Sequence, residues 1–326
     1  MRCLAAVVLC FFLLSGIAIA EVGDSCLKKG NAYYHEGQWD KAIDQYQMAI
    51  RINPDHLGAR QNLGLAYQSK RDFTHAMQAF EELKKMDPLF APAYISLGLV
   101  YTQKGRYKDA EKEYRKAVEL EPRNLVAHLN LAAILAKQKE YGQAFRAARR
   151  GLGIVPSSPH LHLLLANMYF NKEKYALAAL EYRKALKSQS QIPAARLNLG
   201  MALARSGKFE QGLAQIAVVR NLDPNLLEIP MYLARVYAMR FHQEHKGWKE
   251  AVEQYRIAAR RAPDEVEISK ELGDILAENG QYTEARKCYG RVLKNPHTSI
   301  AERTAIESKM KSWPKEGANA NVSSKL

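Results

Sequence analysis

One small residue recurs along this chain at an interval of 34 residues, and this period constrains the fold more than any other feature. Alanine or glycine holds the position throughout, with one slip of five residues before the last two: Ala42, Ala76, Ala110, Ala144, Ala178, Gly212, Ala251 and Ala285. A proline follows twelve residues later in most periods, as at Pro54 and Pro88. Such a period indicates stacked supersecondary units, because one unit of this size cannot bury its apolar face alone.

The third period shows what each unit contains. Its apolar, small and aromatic residues fall at helical spacings on two segments: Leu97, Gly98 and Tyr101, then Tyr107, Ala110, Tyr114 and Ala117. Gly105 lies between the segments and favours a turn that reverses the chain. Pro122 ends the second helix, because proline cannot continue a helix interior. Gly98 and Ala110 are small, which predicts that two antiparallel helices approach closely there.

These residues resemble the tetratricopeptide repeat pattern. The first unit carries the same set in order: Gly30, Tyr33, Gly37, Trp39, Ala42, Tyr46, Ala49 and Pro54. The resemblance covers eight units: 23–56, 57–90, 91–124, 125–158, 159–192, 193–226, 227–265 and 266–297. It implies an all-α fold, a right-handed α-solenoid of about eight helix-turn-helix repeats, and a concave groove lined by the first helix of each repeat.

The seventh unit departs from the pattern by five extra residues between Tyr237 and Trp248. We expect a longer first helix and turn that protrude from the stack. Insertions in repeat proteins map to loops on one face and often contact partners. A surface extension without a partner is an equally good interpretation.

The two ends of the chain have their own chemistry. Residues 1–20 place Arg2 before an apolar run that closes on Ala18-Ile19-Ala20, which predicts a cleaved signal peptide or, as the alternative, an N-terminal anchor. At the other end, residues 298–313 are predicted to form a capping helix, because Ser299 and Glu302 have capping-box spacing. The polar residues 314–326 are predicted to be a disordered tail.

The chain is basic, with 48 Lys and Arg against 34 Asp and Glu and a net charge of +14. Many cations are expected late in second helices, where the helix dipole favours them: Lys84, Lys85, Lys116, Arg149, Arg150, Lys184, Arg220, Arg260 and Arg261. The surplus therefore has a structural explanation, and nucleic acid is a disfavoured partner.

The resemblance also assigns positions to the groove. Three asparagines hold the sixth position of a repeat and one the ninth: Asn62, Asn130, Asn198 and Asn167. An amide both donates and accepts hydrogen bonds, so it can pair with the backbone of an extended peptide. The alternative is that Asn before Leu-Gly is a common filler at this position. The other inward-facing positions hold Leu129, Leu163, Phe170, Leu197, Met201, Tyr232, Arg235 and Met239. Exposed apolar positions of this kind favour partner binding.

The eighth unit differs in charge. Its first segment carries four acidic residues at spacings of four, three and four, so they share one helical face: Glu267, Glu271, Asp274 and Glu278. The repeat register places that face on the groove, where it would receive a basic segment of a partner. A solvated terminal face is the competing interpretation.

Sequence motifs for catalysis are absent from the chain: it has no phosphate-binding glycine loop, no CxxC pair and no HExxH motif. His242 and His245 are too few ligands for a metal site. We therefore predict a non-enzymatic protein without a cofactor or metal, which binds a protein or peptide segment in its groove during cell-envelope assembly or secretion. The leader predicts export to the periplasm or cell envelope, with secretion or inner-membrane anchoring as alternatives. The rival hypothesis is a structural subunit that binds through its convex surface and ends, with no peptide in the groove.

Overall fold

The computed structural model describes residues 21–314, so the predicted leader and most of the predicted tail lie outside the described residues. Every secondary-structure element in this range is helical, which confirms the all-α prediction. The helices are α1 (described over residues 21–35), α2 (Trp39–Ile52), α3 (Leu57–Ser69), α4 (Phe73–Met86), α5 (Ala91–Gln103), α6 (Tyr107–Leu120), α7 (Leu125–Lys137), α8 (Tyr141–Ile154), α9 (Pro159–Asn171), α10 (Tyr175–Ser188), α11 (Pro193–Arg205), α12 (Phe209–Leu222), α13 (Ile229–Glu244), α14 (Trp248–Arg261), α15 (Val266–Glu278), α16 (Tyr282–Lys294) and α17 (Ile300–Lys311).

The chain divides into two compact units, one ending at Leu164 and the other beginning at Leu165. In the first unit α3 packs on α4, α5 on α6 and α7 on α8; in the second, α11 packs on α12, α13 on α14 and α15 on α16. First helices also contact the next first helix, as α11 contacts α13. This is the packing of tetratricopeptide solenoids. The division falls inside α9, and the predicted repeat boundaries stay predictions.

The recurring small residues mark the closest helix contacts. Ala42, Ala110 and Ala285 are completely buried, as are the other alanines of the period. Gly98 of α5 lies against the ring of Tyr114 of α6, where an added Cβ would come within 2.6 Å of the ring. The prediction that small residues allow the helices to approach closely is therefore confirmed.

The turn between the two helices of a repeat requires one residue in the left-handed region. Gly105 has the predicted role, with φ +74°. Three repeats use other residues there, since Arg71, Lys139 and Glu173 have φ of 65°, 65° and 57°. A side chain makes this conformation unfavourable by about 1–2 kcal/mol, so these turns are imposed by packing of the flanking helices.

The five-residue insertion lengthens a helix, as predicted. Helix α13 has 16 residues, whereas α11 and α15 have 13 each. Its additional turn contacts a neighbouring helix on each side rather than standing free: Arg240 forms an ion pair with Glu210 of α12 at 2.8 Å, and Nδ1 of His242 lies 3.3 Å from Glu278 of α15. His245 at φ 55° then ends the helix.

Helix α17 covers the apolar end of the last repeat. The hydroxyl of Ser299 accepts a hydrogen bond from the backbone N–H of Glu302 at 3.2 Å, which confirms the predicted cap. Ile306 is 5% exposed, and Met310 and Trp313 pack on the same core. Trp313 also lies 5.6 Å from the ring of Tyr289. The terminal unit therefore does not expose its core to water.

The predicted link between cations and helix ends holds for only part of the set. Lys84, Lys85, Arg220, Arg260 and Arg261 lie in the last turns of α4, α12 and α14. The other four cations, Lys116, Arg149, Arg150 and Lys184, lie earlier in α6, α8 and α10. Two of these form ion pairs along the helix instead: Lys116 with Glu119 at 2.8 Å and Lys184 with Glu181 at 2.7 Å.

None of the helices within residues 21–314 combines the length and the apolar character needed to cross a membrane.

Candidate functional site

The second unit contains a cavity of about 490 Å³ between the first helices of its repeats, which we call the first-helix cavity. Helices α9, α11, α13 and α15 each contribute side chains, and α14 contributes one from beneath. The lining residues are Phe170, Asn198, Met201, Arg205, Tyr232, Arg235, Ala238, Met239, His242, Tyr255 and Glu271. Apolar side chains come from α9, α11 and α13, and charged side chains come from α11, α13 and α15.

Seven predicted residues meet in this cavity, although they are separated by up to about a hundred positions in the chain. They are Phe170, Asn198, Met201, Tyr232, Arg235, Met239 and Glu271. The 34-residue register brings them together, because equivalent positions of consecutive repeats lie side by side. Leu197 needs a correction: it is 3% exposed and packs in the core between helices, so it does not line the cavity.

Arg235 and Glu271 form the strongest polar contact of the cavity. The guanidinium Nη2 lies 2.7 Å from Oε1 of the carboxylate, and Nε lies 3.0 Å from Oε2. Such two-pronged geometry is the strong form of an ion pair. The hydrogen bond to Glu271 raises the pKa of Arg235. The pair joins α13 to α15 and leaves no net charge at that end of the cavity.

Two tyrosines complete the polar part of the cavity. Tyr255 is 3% exposed, and its pKa is raised, first by burial and then by the Glu271 carboxylate. The hydroxyl of Tyr232 donates a hydrogen bond to Oδ1 of Asn198 at 2.8 Å. Burial raises the pKa of Tyr232 as well. Both phenols are therefore neutral at physiological pH, and the Asn198 carbonyl already has one protein donor.

The first unit has a smaller cavity of about 230 Å³ at the equivalent place, lined by Asn31, Tyr34, His35, Tyr46, Asn62 and Leu65. The amide Nδ2 of Asn62 donates to Oδ1 of Asn31 at 2.8 Å, and the hydroxyl of Tyr46 donates to the same oxygen at 2.9 Å. Asn31 and Asn62 hold the ninth position of one repeat and the sixth of the next, as Arg235 and Glu271 do. The register therefore pairs these positions across repeats.

The remaining predicted groove residues lie outside both cavities. Leu129 and Asn130 of α7 and Leu163 of α9 are half-buried in the first unit. Asn167 is exposed, and its Oδ1 accepts a hydrogen bond from the hydroxyl of Tyr182 at 2.5 Å. At Asn31, Asn167 and Asn198 the carbonyl oxygen therefore accepts a hydrogen bond from a tyrosine, and the N–H₂ group of Asn198 also hydrogen-bonds Tyr182.

The acidic face of α15 has partners within the chain. Glu271 binds Arg235, Glu278 lies 3.3 Å from His242, and Glu267 lies 3.8 Å from Lys270. Asp274 accepts a hydrogen bond from the hydroxyl of Tyr289 at 2.6 Å and forms an ion pair with Lys309 of α17. Docking of a basic segment on this face stays a prediction, and such a segment would compete with these internal partners.

Four lining residues were not predicted as groove residues: Arg205, Ala238, His242 and Tyr255. Tyr255 belongs to the aromatic position of the second helix, which the repeat pattern assigns to packing. Arg205 ends α11 and lies 6.0 Å from the ring of Tyr175. His242 reaches the cavity because the insertion lengthens α13. Its position within the five-residue insertion is the sequence feature from which this role could have been predicted.

The chemistry of this arrangement is that of binding. Methionine and aromatic side chains supply apolar contact, and amides and cations supply polar contact. Within residues 21–314 no three His, Cys, Asp or Glu side chains cluster as metal ligands would.

Family models match the sequence along most of its length. A model described as TPR repeat matches residues 30–70 and 98–139, and one described as tetratricopeptide repeat matches 163–225 and 242–296. Another tetratricopeptide repeat model matches residues 57–88. The chain belongs to the tetratricopeptide repeat family. Proteins of this family generally bind protein or peptide partners, and they are typically scaffolds without enzymatic activity.

Solved structures show the same fold at low sequence identity. PilF of Pseudomonas aeruginosa is 19% identical with a TM-score of 0.58, over 67% of this chain and 99% of its own. The APC/C hetero-tetramer Cut9-Hcn1 is 19% identical with a TM-score of 0.59, over 80% of this chain and 48% of its own. A tetratricopeptide repeat protein from Parabacteroides merdae is 13% identical with a TM-score of 0.56, over 78% and 99%. Curated protein sequences gave no match.

Proposed function

We propose that this protein is a non-enzymatic scaffold that holds a segment of a partner protein in the first-helix cavity of its second unit. The observation that carries the proposal is the composition of that cavity. Phe170, Met201 and Met239 lie beside the amide of Asn198 and the charged pair of Arg235 and Glu271. A site of this kind combines apolar contact with a few placed polar groups.

The side chains of the cavity suit a peptide better than a small rigid molecule. Methionine adapts its shape to different apolar side chains. The N–H₂ group of Asn198 carries two protons, of which the contact with the Tyr182 hydroxyl uses one, and the carbonyl oxygen accepts from Tyr232. A backbone carbonyl of a bound segment is the natural acceptor for the other proton. Apolar side chains of the segment would lie on Met201 and Met239.

Site-specific photocrosslinking tests this proposal and captures the partner in the same experiment. A benzophenone amino acid would replace Met239 in the cavity and, as a control, Val218, which is 38% exposed on the second helix α12. We expect a discrete adduct from position 239 and not from position 218. The crosslinked partner segment, identified by mass spectrometry, would then be synthesised for titration.

The titration separates a specific site from incidental proximity. Met239→Glu should weaken binding of the synthetic segment at least tenfold, because a carboxylate replaces apolar contact next to Glu271. Val218→Glu should leave binding unchanged. Equal affinity of both variants, with unchanged melting temperatures, would rule out the first-helix cavity as the binding site.

A second candidate function is a structural subunit that binds through its second helices and ends. Large apolar residues exposed on α10 and α12 favour it: Leu177, Leu180, Val218 and Leu222 are 43%, 46%, 38% and 66% exposed. The same crosslinking experiment distinguishes the two. Adducts from positions 180 and 218, with none from position 239, would support the subunit.

The proposed place of action is the cell envelope, reached by export. The pattern of residues 1–20 supports this part of the proposal, either as a cleaved leader or as a membrane anchor. Fractionation with N-terminal sequencing tests it. A mature protein that starts at Glu21 in the envelope fraction is the expected result, whereas an intact N-terminus in the cytosolic fraction would contradict export.

A further inference from the structure

A second cavity of the second unit lies on the other side of α15, between the second helices α14 and α16. It has a volume of about 820 Å³, and we call it the second-helix groove. Its lining residues are Glu253, Arg256, Ala259, Arg260, Pro263, Leu272, Leu276, Glu284, Lys287, Cys288 and Arg291. Glu271 faces the first-helix cavity, whereas its neighbour Leu272 faces this groove, so the two sites are separate.

The floor of the second-helix groove is apolar. Leu272 and Leu276 of α15 form its base, 5% and 1% exposed, and Cys288 of α16 adjoins them. Ala259 and Pro263 line the side formed by α14. A groove between two parallel ridges with an apolar base is the kind of surface on which an amphipathic helix lies.

The rim of the groove carries excess positive charge. The groove is lined by two carboxylates, Glu253 and Glu284, and by four cations, which gives a net charge of +2. The cations are Arg256, Arg260, Lys287 and Arg291. Arg256 binds Glu284 at 2.6 Å, and Arg260 lies 3.8 Å from Glu253. No carboxylate of residues 21–314 lies within ion-pair distance of Lys287 or Arg291. Both of these cations stand on α16, four residues apart, on one helical face.

These two cations are present in some repeats and missing from others. In the first unit, α8 holds Arg146 and Arg150 at the equivalent positions. Between α10 and α12, Arg183 donates a hydrogen bond to Gln211 at 3.1 Å, as Arg256 does to Glu284, and both pairs are 28 residues apart. Yet α12 has Ala214 and Val218 where α16 has Lys287 and Arg291. The equivalent face of α12 therefore provides a matched comparison that lacks the two cations.

We propose that the second-helix groove binds an acidic amphipathic helix of a partner protein. Apolar side chains of that helix would lie over Leu272 and Leu276, and its carboxylates would pair with Lys287 and Arg291. The apolar base favours this occupant over nucleic acid, because the leucines of an amphipathic helix bury apolar surface on Leu272 and Leu276, whereas a phosphate backbone does not. The proposal does not depend on the first-helix cavity.

The test uses the full chain and a designed probe. The probe is a fluorescein-labelled helical peptide of about five turns, with leucines along one stripe and glutamates on the other positions. Matched probes replace every glutamate by lysine, or every leucine by serine, and a single-stranded oligonucleotide reports nucleic-acid binding. We expect saturable binding of the first probe alone.

Charge reversal then locates the site. The double variant Lys287→Glu/Arg291→Glu should weaken binding at least tenfold. Ala214→Glu/Val218→Glu, the equivalent change on α12, should leave it unchanged, and Met239→Glu in the first-helix cavity should also leave it unchanged. Met239→Glu alters only the first-helix cavity. Its effect on the partner segment therefore tests the proposed function, and its lack of effect on this probe shows that the probe binds elsewhere.

The alkylation rates of the free thiols report whether the probe binds in this groove, because binding at a distant site would leave them unchanged. Cys288 lies in the groove and Cys26 lies in the first unit, and both are buried. Bound probe should slow alkylation of Cys288 at least threefold and leave the rate at Cys26 unchanged, as measured by peptide mapping. No saturable binding up to about 1 mM, unprotected Cys288, or equal binding of the lysine probe or the oligonucleotide would overturn the proposal.

Discussion

The imidazole Nε2 of His128 lies 2.9 Å from the backbone carbonyl oxygen of Pro122, six residues earlier. The same spacing recurs at the start of four other first helices, although the donor differs: Arg60 to Pro54, Tyr94 to Pro88, His162 to Pro156 and Arg196 to Ser190. Each contact joins the first helix of one repeat to the turn that ends the preceding repeat. Histidine, arginine and tyrosine all donate to this carbonyl. What the repeats share is therefore the position of the donor, six residues after the carbonyl, and not its residue type.

Replacement of His128 by leucine should lower the free energy of unfolding by about 1 kcal/mol, because the Pro122 carbonyl loses its donor. Urea titration followed by circular dichroism measures this value. His128→Tyr is the matched control, since Tyr94 makes the equivalent bond in the preceding repeat. Equal destabilisation by both substitutions would show that the hydrogen bond does not matter.

Glycine at the left-handed turn positions should stabilise the chain. Glu173 has φ 57°, so Glu173→Gly relieves an unfavourable backbone conformation and should raise the free energy of unfolding by about 1 kcal/mol. Lys174→Gly is the control, because Lys174 has φ −86° and gains nothing from glycine. A gain at both positions, or at neither, would contradict this account of the turn.

The fold was predictable because its evidence repeats. A small residue, Gly or Ala, holds the positions of Gly98 and Ala110 in every repeat, so each repeat predicts the same close contact between its two helices. The left-handed turn was predictable only at glycines such as Gly105. Lys139 has no sequence signal for this conformation, since packing of the flanking helices imposes it.

The sequence register predicted which side chains lie side by side but not how they interact. Asn198, Tyr232 and Arg235 line one cavity, and their role in binding stays a prediction. The register could not show that Arg235 is already paired with Glu271, because the two lie on different repeats and their contact depends on side-chain conformation. Leu197 was misplaced for a related reason: one helical step separates a lining position from a core position.

Two glycines in helix interiors should respond oppositely to alanine. At Gly200 an added Cβ would lie 2.9 Å from the backbone oxygen of Gly212, so α11 and α12 would have to separate. Gly200→Ala should therefore destabilise by about 1–2 kcal/mol despite better helix propensity. At Gly290 a Cβ meets nothing within 4 Å, and Gly290→Ala should stabilise by about 1 kcal/mol. Thermal melting of both variants checks the pair, and shifts of the same sign would contradict the packing.

Stability should fall at alkaline pH, in part because of Tyr114. This side chain is 1% exposed, and burial raises its pKa from 10.0 to about 12. Below about pH 10 both states keep the phenol proton; between about pH 10 and 12 the unfolded state loses it while the folded state retains it. The free energy of unfolding should then fall by about 1.4 kcal/mol per pH unit for this group.

Tyr114→Phe should remove that contribution, at the cost of the 3.2 Å hydrogen bond between its hydroxyl and that of Thr102, which is independent of pH below 10. Urea titrations of both proteins from pH 8 to 12 measure the slopes, and identical slopes would show that Tyr114 does not control alkaline unfolding.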